Sequence, residues 1–262
     1  MSINDLLDPD KIKSNLKTNR IGRKVLVYNR TSTTQAVAAG YAKNKENDGL
    51  VIFAEEQTDG KGRADNKWQS NFSESILCSI ILVDNKINAE LLSLTCAVAV
   101  AEAIGKSASG QAKIKWPNDI MMNGKKVAGI LLELKTDSGG NTCIIGIGIN
   151  CHQKKESFPI ELQPIATSID IESHSITDRI LLAKRLLTSM EHWLEIASQK
   201  SEKVIGKWHS LSIQLGHRVK LVYNGREFSG NCIGIDPKKG LILQLDTGGV
   251  RMFDACHTSI AK

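Results

Sequence analysis

The chain has 262 residues, 41% of them hydrophobic, with six cysteines and a formal net charge of +6. That length suits one large domain, or one domain with a small appendage. No apolar run reaches the roughly 20 residues that cross a bilayer, so no membrane-spanning helix is expected.

The cysteines Cys78, Cys96, Cys143, Cys151, Cys232 and Cys256 contain no CxxC pair. The stretch Met1 to Lys17 is polar and carries no export signal. Neither a zinc site, nor any other resident metal, nor a disulfide framework is therefore expected, and the expected location is cytoplasmic. The adjacent Cys151-His152 reads as a strand-end pair rather than a ligand set. The modest positive excess fits an anionic small substrate or an acidic protein partner, whereas lysines and arginines spread along the chain argue against nucleic acid.

In chain order, residues 1–20 form a polar lead with one short helical turn, and Val25 to Tyr28 is a short strand. Thr31-Ser32-Thr33-Thr34 precedes an alanine-rich helix over Gln35 to Lys43, hydroxyl side chains being suited to cap it. Leu50 to Ala54 reads as a buried strand, and Gln57 to Trp68 as a mobile basic loop. Ser75 to Val83 is the next strand. Leu91 to Ile104 is apolar on nearly every face, which predicts a central buried helix. Strands follow at Lys113 to Trp116, Val127 to Leu134 and Cys143 to Asn150. Residues 153–175 hold Pro159 and Pro164 and read as an extended loop. Ile180 to Ala197 carries apolar residues at three- and four-residue spacing, which predicts a second strong helix capped by Ser175. From about residue 213 short strands alternate with Asn224-Gly225, Lys239-Gly240 and Gly248-Gly249, a pattern expected of a small β-barrel. The expected class is α+β: a mixed-sheet catalytic domain over residues 1–212, packed with helices, followed by a barrel over 213–262.

Four groups could carry chemistry. In Gln57-Thr58-Asp59-Gly60-Lys61-Gly62-Arg63, ending at Lys67-Trp68, two glycines permit close backbone approach and three cations can meet an anion. A solvated basic loop satisfies the same spacing. Asp119 and Lys126 flank the Asn123-Gly124 turn, and the apolar run after Lys126 puts it at the mouth of a buried strand. A surface ion pair is the alternative, and such pairs contribute little. Gly146-Ile147-Gly148 clears one face of a strand, for close packing or for a flat ligand. Its spacing is not that of a dinucleotide fingerprint. Ser32-Thr33-Thr34 can cap a helix, bind a ligand at its free N–H groups, or both.

Lys115-Trp116-Pro117-Asn118-Asp119 and Lys126-Val127-Ala128-Gly129-Ile130-Leu131-Leu132-Glu133, joined to Gly60-Lys61-Gly62-Arg63 and Gly146-Ile147-Gly148-Ile149-Asn150, resemble the biotin protein ligases. The resemblance runs from about residue 20 to the end, where Leu215-Gly216-His217-Arg218-Val219 is similar to the start of that family's small Src-homology-like domain. It implies ATP-dependent activation of biotin to biotinyl-5'-adenylate, with magnesium on the ATP phosphates. Transfer to one lysine of a biotin carboxyl-carrier domain then follows. It implies biotin contacts from Ser32, Thr33, Thr34, Gln57, Gly60, Lys61, Gly62, Arg63, Lys126, Gly129, Leu131 and Gly146. It implies nucleotide contacts from Arg63, Lys67, Trp68, Asn118, Lys126 and Asn150, and catalytic roles for Lys126, Arg63 and Asp119. A monomer or a homodimer fits the family. With about 24 residues before the first strand, no amino-terminal winged helix and no DNA binding are expected.

The loop departs from the family pattern, Gly-Arg-Gly-Arg followed after one residue by Gly-Arg. Lys61 replaces the first arginine, and Asp65 and Asn66 stand in place of Gly-Arg, which bears on adenylate retention. Rival readings are a lipoate ligase, which lacks the Lys115 to Asp119 run, a non-catalytic biotin or nucleotide sensor, and a nucleic-acid module on the terminal strands. The aromatics Tyr223, Phe228 and Phe253 there sit at strand positions and read as core rather than stacking platforms.

Overall fold

Alternation along the strands sets the layers. A computed structural model describes residues 5–64, 66–107, 111–137 and 140–260. Seven strands, β1 (Val25–Tyr28), β2 (Val51–Ala54), β3 (Ser75–Leu82), β4 (Lys113–Lys115), β5 (Asp119–Met122), β6 (Lys125–Asp137) and β7 (Gly140–Asn150), form one sheet in the order β1-β2-β3-β7-β6-β5-β4. β1 and β2 are parallel and the other neighbours antiparallel. The helices are α1 (Pro9–Lys13), α2 (Thr34–Tyr41), α3 (Ala89–Gly105), α4 (Ile169–Ser173), α5 (Arg179–Gln199) and α6 (Ser201–Leu211).

Side chains two apart along a strand share a face. Ile76, Cys78, Ile80, Ile145, Ile147 and Ile149 therefore point together into the main core, with residues of α3 and α5. The opposite parity faces α2: Ile81 and Ile144 pack on Ala38. On that second face the sequence turns polar or small, at Ser79, Gly146, Gly148 and Asn150. α3 is buried along nearly its whole surface, as its all-round apolar sequence predicts.

Several elements differ from the sequence reading. α6 was not expected: it follows α5 after the single residue Lys200, and the spacing of Val204, Ile205, Trp208 and Leu211, which pack into or against the core, was the signal for it. The 153–175 stretch holds a 3-10 turn, Lys155–Ser157, and α4. Asp178, rather than Ser175, caps α5, accepting from the Leu181 N–H at 2.8 Å. Asp119 to Met122 forms its own strand after the cis Trp116–Pro117 peptide.

The terminal strands β8 (Arg218–Tyr223), β9 (Arg226–Asp236), β10 (Gly240–Leu245), β11 (Val250–Phe253) and β12 (Thr258–Ile260) form a second, antiparallel sheet in the order β11-β10-β9-β8-β12. The expected barrel is not closed: among the described residues no ladder joins the short edge strands β11 and β12. Side chains bridge the curl instead. Tyr223 on β8 meets Phe253 on β11 with ring centroids 5.4 Å apart, and its hydroxyl donates to Asp254 at 2.9 Å. Phe253 is fully buried and Phe228 packs on it, so these aromatics are core.

A charged cluster ties the amino-terminal lead to the ends of β3 and β7. Arg179 is fully buried and forks to Asp5 (2.9 Å) and Glu55 (2.8 Å). His152 lies between Asp170 (2.7 Å) and Asp5 (3.0 Å), so the residue after Cys151 has two carboxylate partners. Burial alone lowers the imidazole pKa, but the bonds and charges of Asp170 and Asp5 outweigh it and raise the value to about 9. A folded pKa above the unfolded value of about 6.5 gives stability that is complete below that pH and is lost as pH rises through about 9. Melting temperature should therefore fall between pH 7 and 10 in the native chain and fall less in His152→Gln; equal slopes would remove His152 from the account. The cysteines Cys78, Cys143 and Cys151 are free and buried, and burial pushes each thiol up to about 12.

Candidate active site

Lys126 and Asp119 form an ion pair, Nζ to Oδ1 2.5 Å, with about a third of the lysine side chain and a quarter of the aspartate exposed. A bulge makes this possible. Asp119 pairs with Gly129 and Ile120 with Ala128, but Met121 pairs with Lys126, leaving Val127 as the extra residue. In a regular strand, positions 126 and 129 would point to opposite faces. The bulge re-aims Lys126 onto the Gly129 face, while Val127 and Ala128 are both fully buried. Asn118 completes this corner: its main-chain O accepts from Ile130 N–H at 3.0 Å and its Nδ2 donates to Ile130 O at 2.9 Å. Trp116 beside it is buried, with its N–H and C=O both held by Gln214.

Gly129 lies opposite Gly148, and Leu131 opposite Gly146. With Asn150 two residues beyond Gly148, these residues make a shelf on the α2 side of the sheet. The indole of Trp68 lies flat against it: a Cβ at Gly148 would sit 2.5 Å from Trp68 Cε2, and one at Gly129 would sit 2.9 Å from Cζ3. Lys126 Nζ stands 5.6 Å from the Trp68 ring. The indole can rest here because both positions lack a Cβ. Gly148→Ala should lift the indole into water and red-shift the emission that Trp68→Phe removes; an unchanged difference spectrum would show that the ring does not rest there.

A buried polar group continues the shelf. Thr33 caps α2. The Thr34 N–H and hydroxyl both reach Gln57 Oε1, at 2.7 and 3.1 Å. Ser79 donates toward Thr34 Oγ1 or Gln35 Oε1, each 2.8 Å away. Gln35 Nε2 is buried without a partner, above Gly146. A polar head that presents acceptors would satisfy that amide, since an unpaired buried donor is costly. Ser32 is exposed, and its carbonyl accepts from Asp59 N–H at 2.9 Å.

The basic loop is a tight hairpin. Trp68 N–H donates to Gly60 O (2.9 Å), Gly62 N–H to Asn66 O (2.6 Å), and Lys61 and Lys67 bridge across it. Both lysines are exposed. Gly60 is buried so tightly that a Cβ would meet Trp68 O at 2.4 Å. Asn66 closes the tip through Arg63 O, while Asp65 lies outside the described residues. Arg63 turns toward the second sheet. Its guanidinium donates to Asn118 Oδ1 (3.3 Å), to Ala255 O and to Thr258 O (3.2 Å). Burial lowers its pKa, opposed by nearby Cys256, Asp119 and Glu90.

The sequence reading brought neither Gln35 nor Ser79 into the site, though a serine inside the apolar run Ile76 to Leu82 was a signal. It also passed over Glu90, a buried carboxylate whose pKa is raised by burial and whose Oε1 accepts from Ala255 N–H at 2.7 Å. A glutamate in the first turn of an apolar helix gives no local sign of reaching Ala255, 165 positions away.

Residues 27–150 match the Biotin/lipoate A/B protein ligase family. The bifunctional ligase/repressor BirA of Bacillus subtilis is 32% identical over 253 residues, 95% of this chain and 78% of that protein. The biotin--[acetyl-CoA-carboxylase] ligase of Mycobacterium tuberculosis is 29% identical, over 95% of each chain. Among solved structures, a biotin protein ligase from Aquifex aeolicus in complex with biotin and ATP superposes with a TM-score of 0.80 at 26% identity, covering 92% of this chain and 99% of that one. Shared length, shared fold and a bulged strand that brings Lys126 to Asp119 beside a glycine shelf together place this chain in the biotin protein ligase family.

Proposed function

We propose that the chain activates biotin with ATP and transfers it to a lysine of a biotin carboxyl-carrier domain. In the first half a carboxylate oxygen of biotin attacks the α-phosphorus of ATP. The bond to the β-phosphate oxygen breaks, giving biotinyl-5'-adenylate and pyrophosphate. In the second half the acceptor amine attacks the acyl carbon and AMP leaves. The single observation that carries this reading is Lys126 at the rim of the glycine shelf, where a carboxylate and a phosphate would meet.

Two unit charges about 4 Å apart repel by roughly 4 kcal/mol at an effective dielectric near 20. Lys126 and Arg63 oppose that repulsion, with the magnesium that rides on the ATP phosphates as part of the substrate. The protein's task is positioning and charge stabilisation. Thr34, Gln57 and Gln35 would read the biotin head; Thr33 and Ser32 order the segment. Gly129, Leu131 and Gly146 would floor it, and Gly60, Lys61 and Gly62 would close over it. Asn118, Asn150, Lys67 and Trp68 would serve the nucleotide. Arg63 would leave the carbonyls of Ala255 and Thr258 to meet phosphate, and Asp119, freed from Lys126, would take the proton of the acceptor lysine.

Residues 1–212 form the catalytic unit in this reading, and residues 213–262 hold Arg63 in reserve from the second sheet. Every named group lies in one chain, so a monomer suffices for adenylation. Among the described residues no helix is long and apolar enough to cross a membrane. ATP as substrate and free thiols at all six cysteines fit a cytoplasmic enzyme.

The test is ATP-dependent pyrophosphate release with biotin, with lipoate and with neither, followed by mass analysis of a carrier domain. Release with biotin and a mass gain on one carrier lysine is the expected result. Release with lipoate alone would move the chain to lipoate ligation, and tight biotin binding without release would make it a sensor.

A further inference from the structure

The residue pair Lys126 and Asn150 is held by a third segment, Ile165-Ala166-Thr167. Lys126 N–H donates to Ile165 O at 2.8 Å, and Thr167 N–H donates to Lys126 O at 2.9 Å. The next acceptor along, Thr167 O, takes the Asn150 Nδ2–H at 2.9 Å. Three consecutive residues thus grip the main chain of one site residue and the side chain of another. Thr167 is buried, and its hydroxyl donates to Glu172 Oε1 at 2.5 Å. The second oxygen of Glu172 accepts from Asn123 Nδ2, also at 2.5 Å. Asn123 is the turn residue between β5, which carries Asp119, and β6, which carries Lys126, and it holds a left-handed backbone at φ 45°. The carboxylate on α4 therefore ties the Asp119–Lys126 hairpin to the strap that fixes Asn150. Ser168 anchors the base of α4, donating to Gln153 O at 2.7 Å.

We infer that Glu172 is a positioning residue for the nucleotide half of the site. Through Thr167 and Asn123 it fixes where Lys126 stands relative to Asn150. The inference rests on the ligase reading above. Its physical basis is that two charge-assisted bonds accepted by one carboxylate constrain both anchors at once. A misplacement of about 1 Å in a reacting group can cost on the order of 100-fold in rate. The polar group that would read biotin, Thr34, Gln35, Gln57 and Ser79, makes its recorded bonds on the α2 side and none to this network. The two halves should therefore separate in experiment.

The test uses the full chain with Glu172→Ala, Glu172→Gln, Thr167→Val and Thr167→Ser. Steady-state pyrophosphate release gives kcat and the KM for ATP, and calorimetry without nucleotide gives the Kd for biotin. Glu172→Ala and Thr167→Val should each raise the KM for ATP or lower kcat by about 10-fold or more, with a clearly smaller loss in biotin Kd, since Lys126 also faces the biotin carboxylate while Asn150 does not. Thr167→Ser, which keeps the hydroxyl, should restore native values, and Glu172→Gln, which keeps one acceptor, should fall between. The double variant Glu172→Ala with Thr167→Val should be no worse than either alone. Native kcat and KM in folded Glu172→Ala would overturn the inference, as would equal losses in ATP and biotin binding, which mark a general structural role. Should Glu172→Ala fail to fold, Thr167→Val against Thr167→Ser decides by the same criteria. No release by the native chain would instead remove the ligase reading itself.

Discussion

Replacing Lys126 by alanine should cut kcat for biotin-dependent pyrophosphate release by about 100- to 1000-fold, the loss typical when one preorganised charge donor is removed. The reason is the position of the ammonium. It sits at the shelf edge, 2.5 Å from Asp119 and 5.6 Å from the ring of Trp68, on a strand whose bulge exists to aim it there. Removing it leaves Asp119 as an uncompensated anion where two further anions must meet, so the pair goes from neutral to a net negative charge. The fold should persist, because the side chain is a third exposed and the main-chain bonds to Ile165 and Thr167 do not need it. Circular dichroism and melting temperature should therefore stay near native while release falls. Near-native release by the folded variant would sink the role given to this lysine. Lys126→Arg should not rescue fully, since a planar guanidinium in the same place is larger and would crowd the Trp68 ring.

Arg179→Ala should produce the largest loss of stability of any single change, about 3–5 kcal/mol, because it leaves buried carboxylates without their cation. Glu55 is 1% exposed and would keep only the Leu7 N–H, at 2.6 Å. Asp5 would lose its fork and retain His152 and a long bond from the Ser73 hydroxyl at 3.5 Å. In a chain of this size such a loss corresponds to a drop in melting temperature on the order of 10 °C. Chemical denaturation with an unchanged m-value would report it. A shift under 1 kcal/mol would mean that water enters and solvates the carboxylates. The effect should reach the site as well. Arg179 holds Ser75 O at 3.0 Å, and Ser75 pairs with Asn150 across β3 and β7.

The sequence by itself determined the layers and the chemistry at the centre. A short apolar run marks the strand Val25–Tyr28, an all-round apolar run marks α3, and three- and four-residue apolar spacing marks α5, because burial dictates residue type at each position. The run Lys115 to Asp119 stood out through its resemblance to the biotin protein ligases, and the glycines of β7 because their spacing clears one face of a strand. What lay beyond local pattern was decided by the tertiary structure. α6 packs on α3 and α5, and where its stripe of Val204, Ile205, Trp208 and Leu211 docks is set by those two helices rather than by its own sequence. The terminal strands suggested a barrel, yet closure depends on the lengths of β11 and β12 and on how far the sheet curls, neither of which is written in a turn motif. Arg63 contacts residues almost two hundred positions away, and Glu172 joins Asn123 to Thr167. The bulge that turns Lys126 toward Gly129 is a mismatch between two paired strands, so neither strand alone contains it. Long-range hydrogen bonds and strand register are properties of pairs of segments, and only the folded chain brings those pairs together.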